Sequence, residues 1–189
     1  MILKIKSKLV GLEKIVLPLV LFLSLGGCQS QPAGVSGNSK PVWSVAFSPQ
    51  GGCTELVVDT LTKAKTEVLV QAYSFTSAPI ARALIEAKNR GVKVEVILDK
   101  SQRTERYSEA DFLAHSGIPV SIDAVHSIAH NKVMVIDDET VITGSFNFTK
   151  AAEEHNAENL LVFHDKELAA LYKRNWQKHQ AHSEPYGGR

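Results

Sequence analysis

Six residues able to do chemistry crowd into His130 to Asn147, HNKVMVIDDETVITGSFN, with the spacing H-x-K-x4-D-x6-G-S-x-N. His130 offers a nucleophile or base, Lys132 a fixed cation and Asp137 a carboxylate, while Gly144, Ser145 and Asn147 form a small polar group. An imidazole beside an ammonium suits an anionic substrate. The ammonium holds a non-bridging phosphate oxygen while the imidazole attacks phosphorus or moves protons. Side chains two apart on a strand share a face, so His130 and Lys132 are expected to project together, and so are Ser145 and Asn147. Gly144 allows a close backbone approach or an unusual backbone angle. Asn147 can donate to a phosphate oxygen, and Ser145 can donate or accept. Together these groups would cradle charge developing on phosphorus without a metal.

Each fragment alone means little, since H-x-K on a strand and G-S-x-N in a turn are both common. Six fixed residue types in one eighteen-residue window are hard to obtain by accident. Asp137 is a catalytic candidate by position, yet a carboxylate repels phosphate, so a salt bridge or turn hydrogen bond suits it better. His130 needs a carboxylate on its second ring nitrogen to fix its tautomer. Glu158, in Asn156-Ala-Glu158-Asn-Leu-Leu, is the candidate. The remaining histidines, 115, 126, 155, 164, 179 and 182, show no metal-ligand spacing. His179 and His182 could touch a metal but better suit a frayed polar end of the chain, and no Cys/His cluster suggests structural zinc. Glycine-rich nucleotide loops are absent too. Neither a metal nor another cofactor is expected.

The elements that must position these residues begin after a leader. Residues 1–28 combine Lys4, Lys6, Lys8 and Lys14 with an apolar run and Leu25-Gly26-Gly27-Cys28, the layout of a secretory signal. Leu-Gly-Gly-Cys resembles a bacterial lipobox, in which Cys28 would carry the lipid. Ordinary cleavage nearby and an uncleaved anchor are the alternatives. Localisation is accordingly expected to be extracytoplasmic, on the periplasmic side, membrane-anchored or else soluble or secreted. Without residues 1–28, Lys and Arg fall from 21 to 17 and Asp and Glu from 20 to 19, a net charge of −2. This charge weakens any reading as a generally basic nucleic-acid binder, and phosphate recognition would have to come from a local patch. Cys53 then has no intramolecular partner and is expected to be buried and inert. Residues 29–41 read as a flexible linker, 42–182 as the catalytic domain and 183–189 as a frayed end.

Strands are expected at Trp43–Phe47, Glu67–Phe75, Val92–Leu98, Val120–Ile122, Lys132–Ile136, Thr140–Thr143 and Asn159–Phe163. Helical spacing marks Cys53–Lys65, the segment from a Ser77 cap to Gly91, Arg103–Ser116 more weakly, and a last helix capped by Asp165 that carries Leu168, Leu171, Tyr172 and Trp176. This alternation implies one α/β domain per chain, a mixed central β-sheet flanked by helices.

The signature resembles that of the phospholipase D superfamily, whose members cut phosphodiester bonds. Ala72-Tyr-Ser-Phe-Thr76, Ala87-Lys-Asn-Arg-Gly-Val92, Ser116-Gly-Ile-Pro119 and Gly144-Ser-Phe-Asn-Phe-Thr-Lys-Ala-Ala152 extend the likeness to its small bacterial endonucleases. The resemblance implies a phospholipase D/nuclease-like fold and a two-step reaction through a phosphohistidine. Because the signature occurs once, it also implies a homodimer with two copies of His130 facing each other. Lys132, Gly144 and Asn147 would bind substrate, Ser145 would support the cradle and Glu158 would orient His130. Nucleic acid, met through its backbone, is the expected partner. Lys100, Arg103 and Arg106 would flank the cleft or form a solvated loop, and Tyr73, Phe75, Phe146 and Phe148 would stack bases or, better, pack the core. The alternatives are a phospholipase D acting on phosphatidylcholine-type lipids and an inactive binding module.

Overall fold

In the computed structural model, residues 42–189 are described. The expected signal, Cys28 and linker lie outside them. β1 (Trp43–Ser48), α1 (Cys53–Thr62), β2 (Glu67–Ala72), α2 (Ala78–Asn89) and β3 (Lys93–Asp99) come first. A 3-10 turn (Lys100–Arg103), α3 (Ala110–His115), β4 (Val120–Asp123), β5 (Lys132–Ile136) and β6 (Thr140–Gly144) follow. The chain ends with α4 (Lys150–Glu154), β7 (Glu158–His164), α5 (Lys166–Gln180) and β8 (Glu184–Tyr186). The strands form one mixed sheet in the order β1-β7-β6-β5-β2-β3-β4-β8. β2, β3 and β4 run parallel, and every other pairing is antiparallel.

Nearly continuous apolar runs make β2, β3 and β5 central strands, covered on both faces. One face packs under α1 and α2, where Val57, Leu61, Ile80 and Leu84 meet Val70, Val96, Met134 and Ile142. α5 covers the other through Ala169 and Trp176 against Leu69, Ile97, Val133 and Val135. The Trp176 indole N–H donates to the Val70 carbonyl at 2.9 Å, pinning α5 to the sheet. Asp165 caps α5 as expected, accepting from the Glu167 and Leu168 amides at 2.9 and 3.0 Å. Among the described residues, no helix is long and apolar enough to cross a membrane.

Three expectations need correction. The helix over 103–116 shortens to the 3-10 turn and α3, because Arg103 to Glu109 offer no apolar stripe to bury. Residues 183–189 are ordered: β8 pairs with β4, the Tyr186 hydroxyl donates to Asp111 at 2.6 Å, and Arg189 pairs with the same carboxylate at 3.0 Å. Finally, His130 precedes β5 rather than lying on it.

Strand direction decides where the chemistry collects. β5 and β7 start, and β1, β2, β3, β4 and β6 end, at one edge of the sheet. His130, Lys132, Ser145, Asn147 and Glu158 all lie at that edge, where loops are free to expose them.

Candidate active site

Lys132 opens β5, with a side chain only 7% exposed. Its ammonium lies 5.2 Å from the Tyr73 ring centroid and donates to the His130 carbonyl at 3.2 Å. That one bond leaves further N–H donors for an anion. Burial lowers its pKa, and the charge of Glu158 pulls the other way. His130 is exposed, and its ring stands edge-on to Tyr73 with centroids 4.6 Å apart. Tyr73 thus touches both motif residues. Its amide also donates to the Asn131 carbonyl at 2.8 Å, tying the end of β2 to the loop between them.

That loop is held from its other side by Asp99, a buried residue closing β3. The carboxylate accepts from the Ser101 amide at 2.9 Å and the Ala129 amide at 2.7 Å. Burial would raise the Asp99 pKa, but these backbone N–H groups outweigh it and hold the acid below its ordinary value. Ala129 immediately precedes His130, so Asp99 and Tyr73 both constrain the imidazole. Neither belongs to the signature between His130 and Asn147. Only the sheet register brings the ends of β2 and β3 beside β5.

The second half of the site follows β6. Gly144 has φ +148, and a Cβ there would lie 2.2 Å from the Asn159 carbonyl oxygen. Glycine is therefore required on both grounds expected of it. The Asn159 carbonyl accepts from the Ser145 and Phe146 amides at 3.1 and 3.2 Å. In return, the Ser145 hydroxyl accepts from the Asn159 amide and side chain at 3.1 and 3.3 Å. Alternation then sends Phe146 and Phe148 into the core, both fully buried, and leaves Ser145 exposed and Asn147 half-buried. Asn147 Oδ1 is buried without a hydrogen-bond partner. That oxygen is an acceptor, so the Nδ2 group of Asn147 is the one able to donate to a phosphate oxygen.

Two expected roles do not fit within one chain. Glu158 does not bond His130; its Oε1 accepts from the Asn156 side chain at 3.2 Å. It opens β7, with β6 between it and β5, so its charge acts on Lys132 while its oxygens stay away from the ring. Asp137 lies just past the far end of β5, roughly 17 Å along the strand from Lys132 at about 3.3 Å per residue. With Asp138 it forms a tight turn at φ 55 and 57, closed by the Glu139 amide on the Ile136 carbonyl at 3.1 Å. Its carboxylate accepts from the Lys65, Thr66 and Glu67 amides and the Thr66 hydroxyl at 2.8–3.0 Å. Asp137 therefore staples the α1–β2 connection to the hairpin, as the turn hydrogen bond weighed above required.

Lys100 donates to the His126 carbonyl at 2.9 Å, and Arg103 pairs with Glu184 at 2.6 Å. Cys53 is fully buried, and burial, followed by the charges of Glu153 and Glu158, pushes its thiol up to about 11, which makes it inert. A cleft of about 730 Å³, lined by Gln50, Thr54, Glu55, Thr76, Ser77 and Glu153 among others, contains none of the motif residues. His130 instead faces solvent.

The chain matches the family described as cardiolipin synthase, PLD-like domain, over residues 57–180. It is 43% identical over 159 residues to a phospholipase D of Rickettsia conorii, covering 84% of this chain and 80% of that protein. Its fold is similar to that of a phospholipase D family member, Nuc, from Salmonella typhimurium, with a TM-score of 0.74 at 41% identity, covering 76% of this chain and 97% of that one. NucT from Helicobacter pylori is similar with a TM-score of 0.69 at 27% identity, covering 76% and 99%. With His130, Lys132, Ser145 and Asn147 gathered at one sheet edge, the chain belongs to the phospholipase D superfamily and is a phosphodiester hydrolase of that family.

Proposed function

We propose that this protein is a metal-independent, non-specific endonuclease that cuts DNA or RNA through a phosphohistidine formed in a homodimer. One observation carries the reading: a largely buried lysine with unused donors beside an exposed, positioned histidine, on a chain whose fold is similar to that of Nuc. In the first step a His130 ring nitrogen attacks phosphorus, and the bond from phosphorus to the leaving oxygen breaks. A second imidazole donates its proton to that oxygen. The second imidazole then takes a proton from water, whose oxygen displaces His130 from phosphorus and leaves a phosphomonoester. Lys132 and Asn147 hold the non-bridging oxygens, and the Glu158 charge favours the protonated form of Lys132 against its burial.

The second imidazole comes from a second copy of the chain. Among the described residues, the ring partner of His130 is Tyr73, while the rings of His126, His179 and His182 converge on Asp123. An exposed apolar stripe on edge strand β1, formed by Trp43, Val45 and Phe47, runs to the active edge and supplies a surface for an isologous partner. Residues 1–28 send the protein outside the cytoplasm, with Cys28 as a lipid anchor. Cys28→Ala is expected to shift it from the membrane to the soluble extracytoplasmic fraction.

Exposed Val125 and Ile128, 65% and 52% accessible on the loop leading to His130, favour a second reading. An apolar rim beside a phosphodiester site suits a phospholipid, and the Rickettsia conorii relative is named a phospholipase D. Incubating the purified chain with plasmid DNA, RNA and phosphatidylcholine vesicles in excess chelator separates the two. Nicked plasmid or shortened RNA is the expected result; choline release alone would replace the nuclease with the lipase. Mixed dimers of wild-type and His130→Ala chains should lose activity in proportion to the mixed fraction, and full activity in a strictly monomeric sample would overturn the shared site.

A further inference from the structure

A second constellation lies at the end of β4, built from groups that the phosphodiesterase chemistry does not use. Asp123 is fully buried, and one of its oxygens, Oδ2, is approached by three imidazoles. His179 Nδ1 lies 2.7 Å away, His182 Nε2 3.3 Å and His126 Nε2 3.8 Å. The rings crowd each other with centroids 5.0–5.3 Å apart. One ligand atom from each residue falls within 4.8 Å of all the others. Tetrahedral zinc, with bonds of about 2.0–2.1 Å, places its ligand atoms roughly 3.3 Å apart. Shifts within rotamer freedom would close the set.

We propose that Asp123, His126, His179 and His182 bind a divalent transition-metal ion, zinc in the first instance, as a structural clamp. Three imidazoles and one carboxylate are donors for zinc and its neighbours, not for magnesium or calcium, which take oxygen ligands. Four protein ligands fill a tetrahedral shell and leave no open position for a reacting water, so the ion is structural. The surroundings hold the ligands in place. Asp123 Oδ1 accepts from the Val125 amide at 3.2 Å, which leaves Oδ2 for the centre. The His126 carbonyl is held by Lys100 at 2.9 Å, and the His179 carbonyl by the Ser183 hydroxyl at 2.7 Å. His179 sits in the last turn of α5, whose carbonyl end favours a cation. His126 and His182 are partly exposed, which gives the ion an entry path.

The clamp joins two distant segments: the end of β4 with the loop that carries His126 and four residues later His130, and the C-terminal end of α5. An ion there would fasten α5 to the loop that delivers the catalytic imidazole, while staying outside the reaction.

The test uses the full chain purified without a histidine tag, stripped with chelator, then titrated with Zn²⁺ and separately with Co²⁺. One zinc per chain is expected, with a rise in melting temperature and a visible Co²⁺ absorption of tetrahedral type. His182→Gln, at a partly exposed position where folding should survive, and His179→Ala should each weaken binding about 100-fold or more and abolish the thermal shift. Failure of the unaltered chain to retain zinc would overturn the proposal, as would retention indifferent to both substitutions; a metal-free ion-pair cluster would then remain. Bound metal is the readout, so either outcome leaves the phosphohistidine reaction to be judged by its own assay.

Discussion

The two ends of β5 carry one charged motif residue each, and the fold treats them in opposite ways. Asp137 is saturated, its carboxylate receiving three amides and a hydroxyl. Lys132, at the other end, is more deeply buried and yet bonds a single carbonyl at 3.2 Å. A group whose hydrogen-bonding capacity is used up stabilises the fold; one buried with capacity left over is stabilised only when substrate arrives. One sequence signature therefore mixes two kinds of residue, and partner satisfaction separates them.

His130→Ala tests the contrast most severely. Turnover should fall at least about 10⁴-fold, with an unchanged melting temperature because the ring is exposed; retained turnover would remove His130 from the chemistry. Lys132→Met should reduce kcat by about 10²–10³-fold. Stability should hold or rise, since a desolvated ammonium with few partners is replaced by an apolar chain of similar length. Loss of folding with normal specific activity would place Lys132 with Asp137 instead. Tyr73→Leu removes the edge-on contact with His130, worth about 0.5–1.5 kcal/mol, and should lower kcat up to tenfold with little change in KM.

Asp137→Asn completes the series with the smallest effect on turnover, within about twofold, and a stability loss of about 2 kcal/mol in denaturant titration. Its pH dependence sharpens the point. Burial raises the Asp137 pKa, but the Glu67, Thr66 and Lys65 amides and the Thr66 hydroxyl bring it below the ordinary carboxylate value. A depressed folded-state pKa gives stability that is present above the unfolded value, near 4, and is lost as pH falls through the folded value. The gap between wild type and Asp137→Asn should therefore be widest above pH ~4 and narrow in stronger acid. A constant gap would mean that the carboxylate charge is not what stabilises the turn.

Much of this molecule was readable along the chain because its interactions are local. Strand and helix periods, the Asp165 cap and the inward Phe146 and Phe148 all depend on neighbours within a few residues. The six-residue signature was readable for the same reason: β5, its turn and β6 form one hairpin, so eighteen consecutive residues span most of the site. What failed was whatever required distant partners. The sequence window favoured a structural Asp137 on charge alone, but it could not show which groups hold it, since these are amides at 65–67 on another segment. Nor could it show that Glu158 stops short of His130 across β6, or that β8 finds an edge on β4.

Sequence alone determined which groups are present, in what local order, and hence the class of reaction. Tertiary structure alone decided which of them are held by others and which are left free. Asp99 and Tyr73 reach the catalytic loop, and His179 and His182 reach Asp123, through strand register and helix docking across 30 to 59 residues. Contacts of that kind depend on how the sheet stacks its strands, and no periodicity along a chain encodes them.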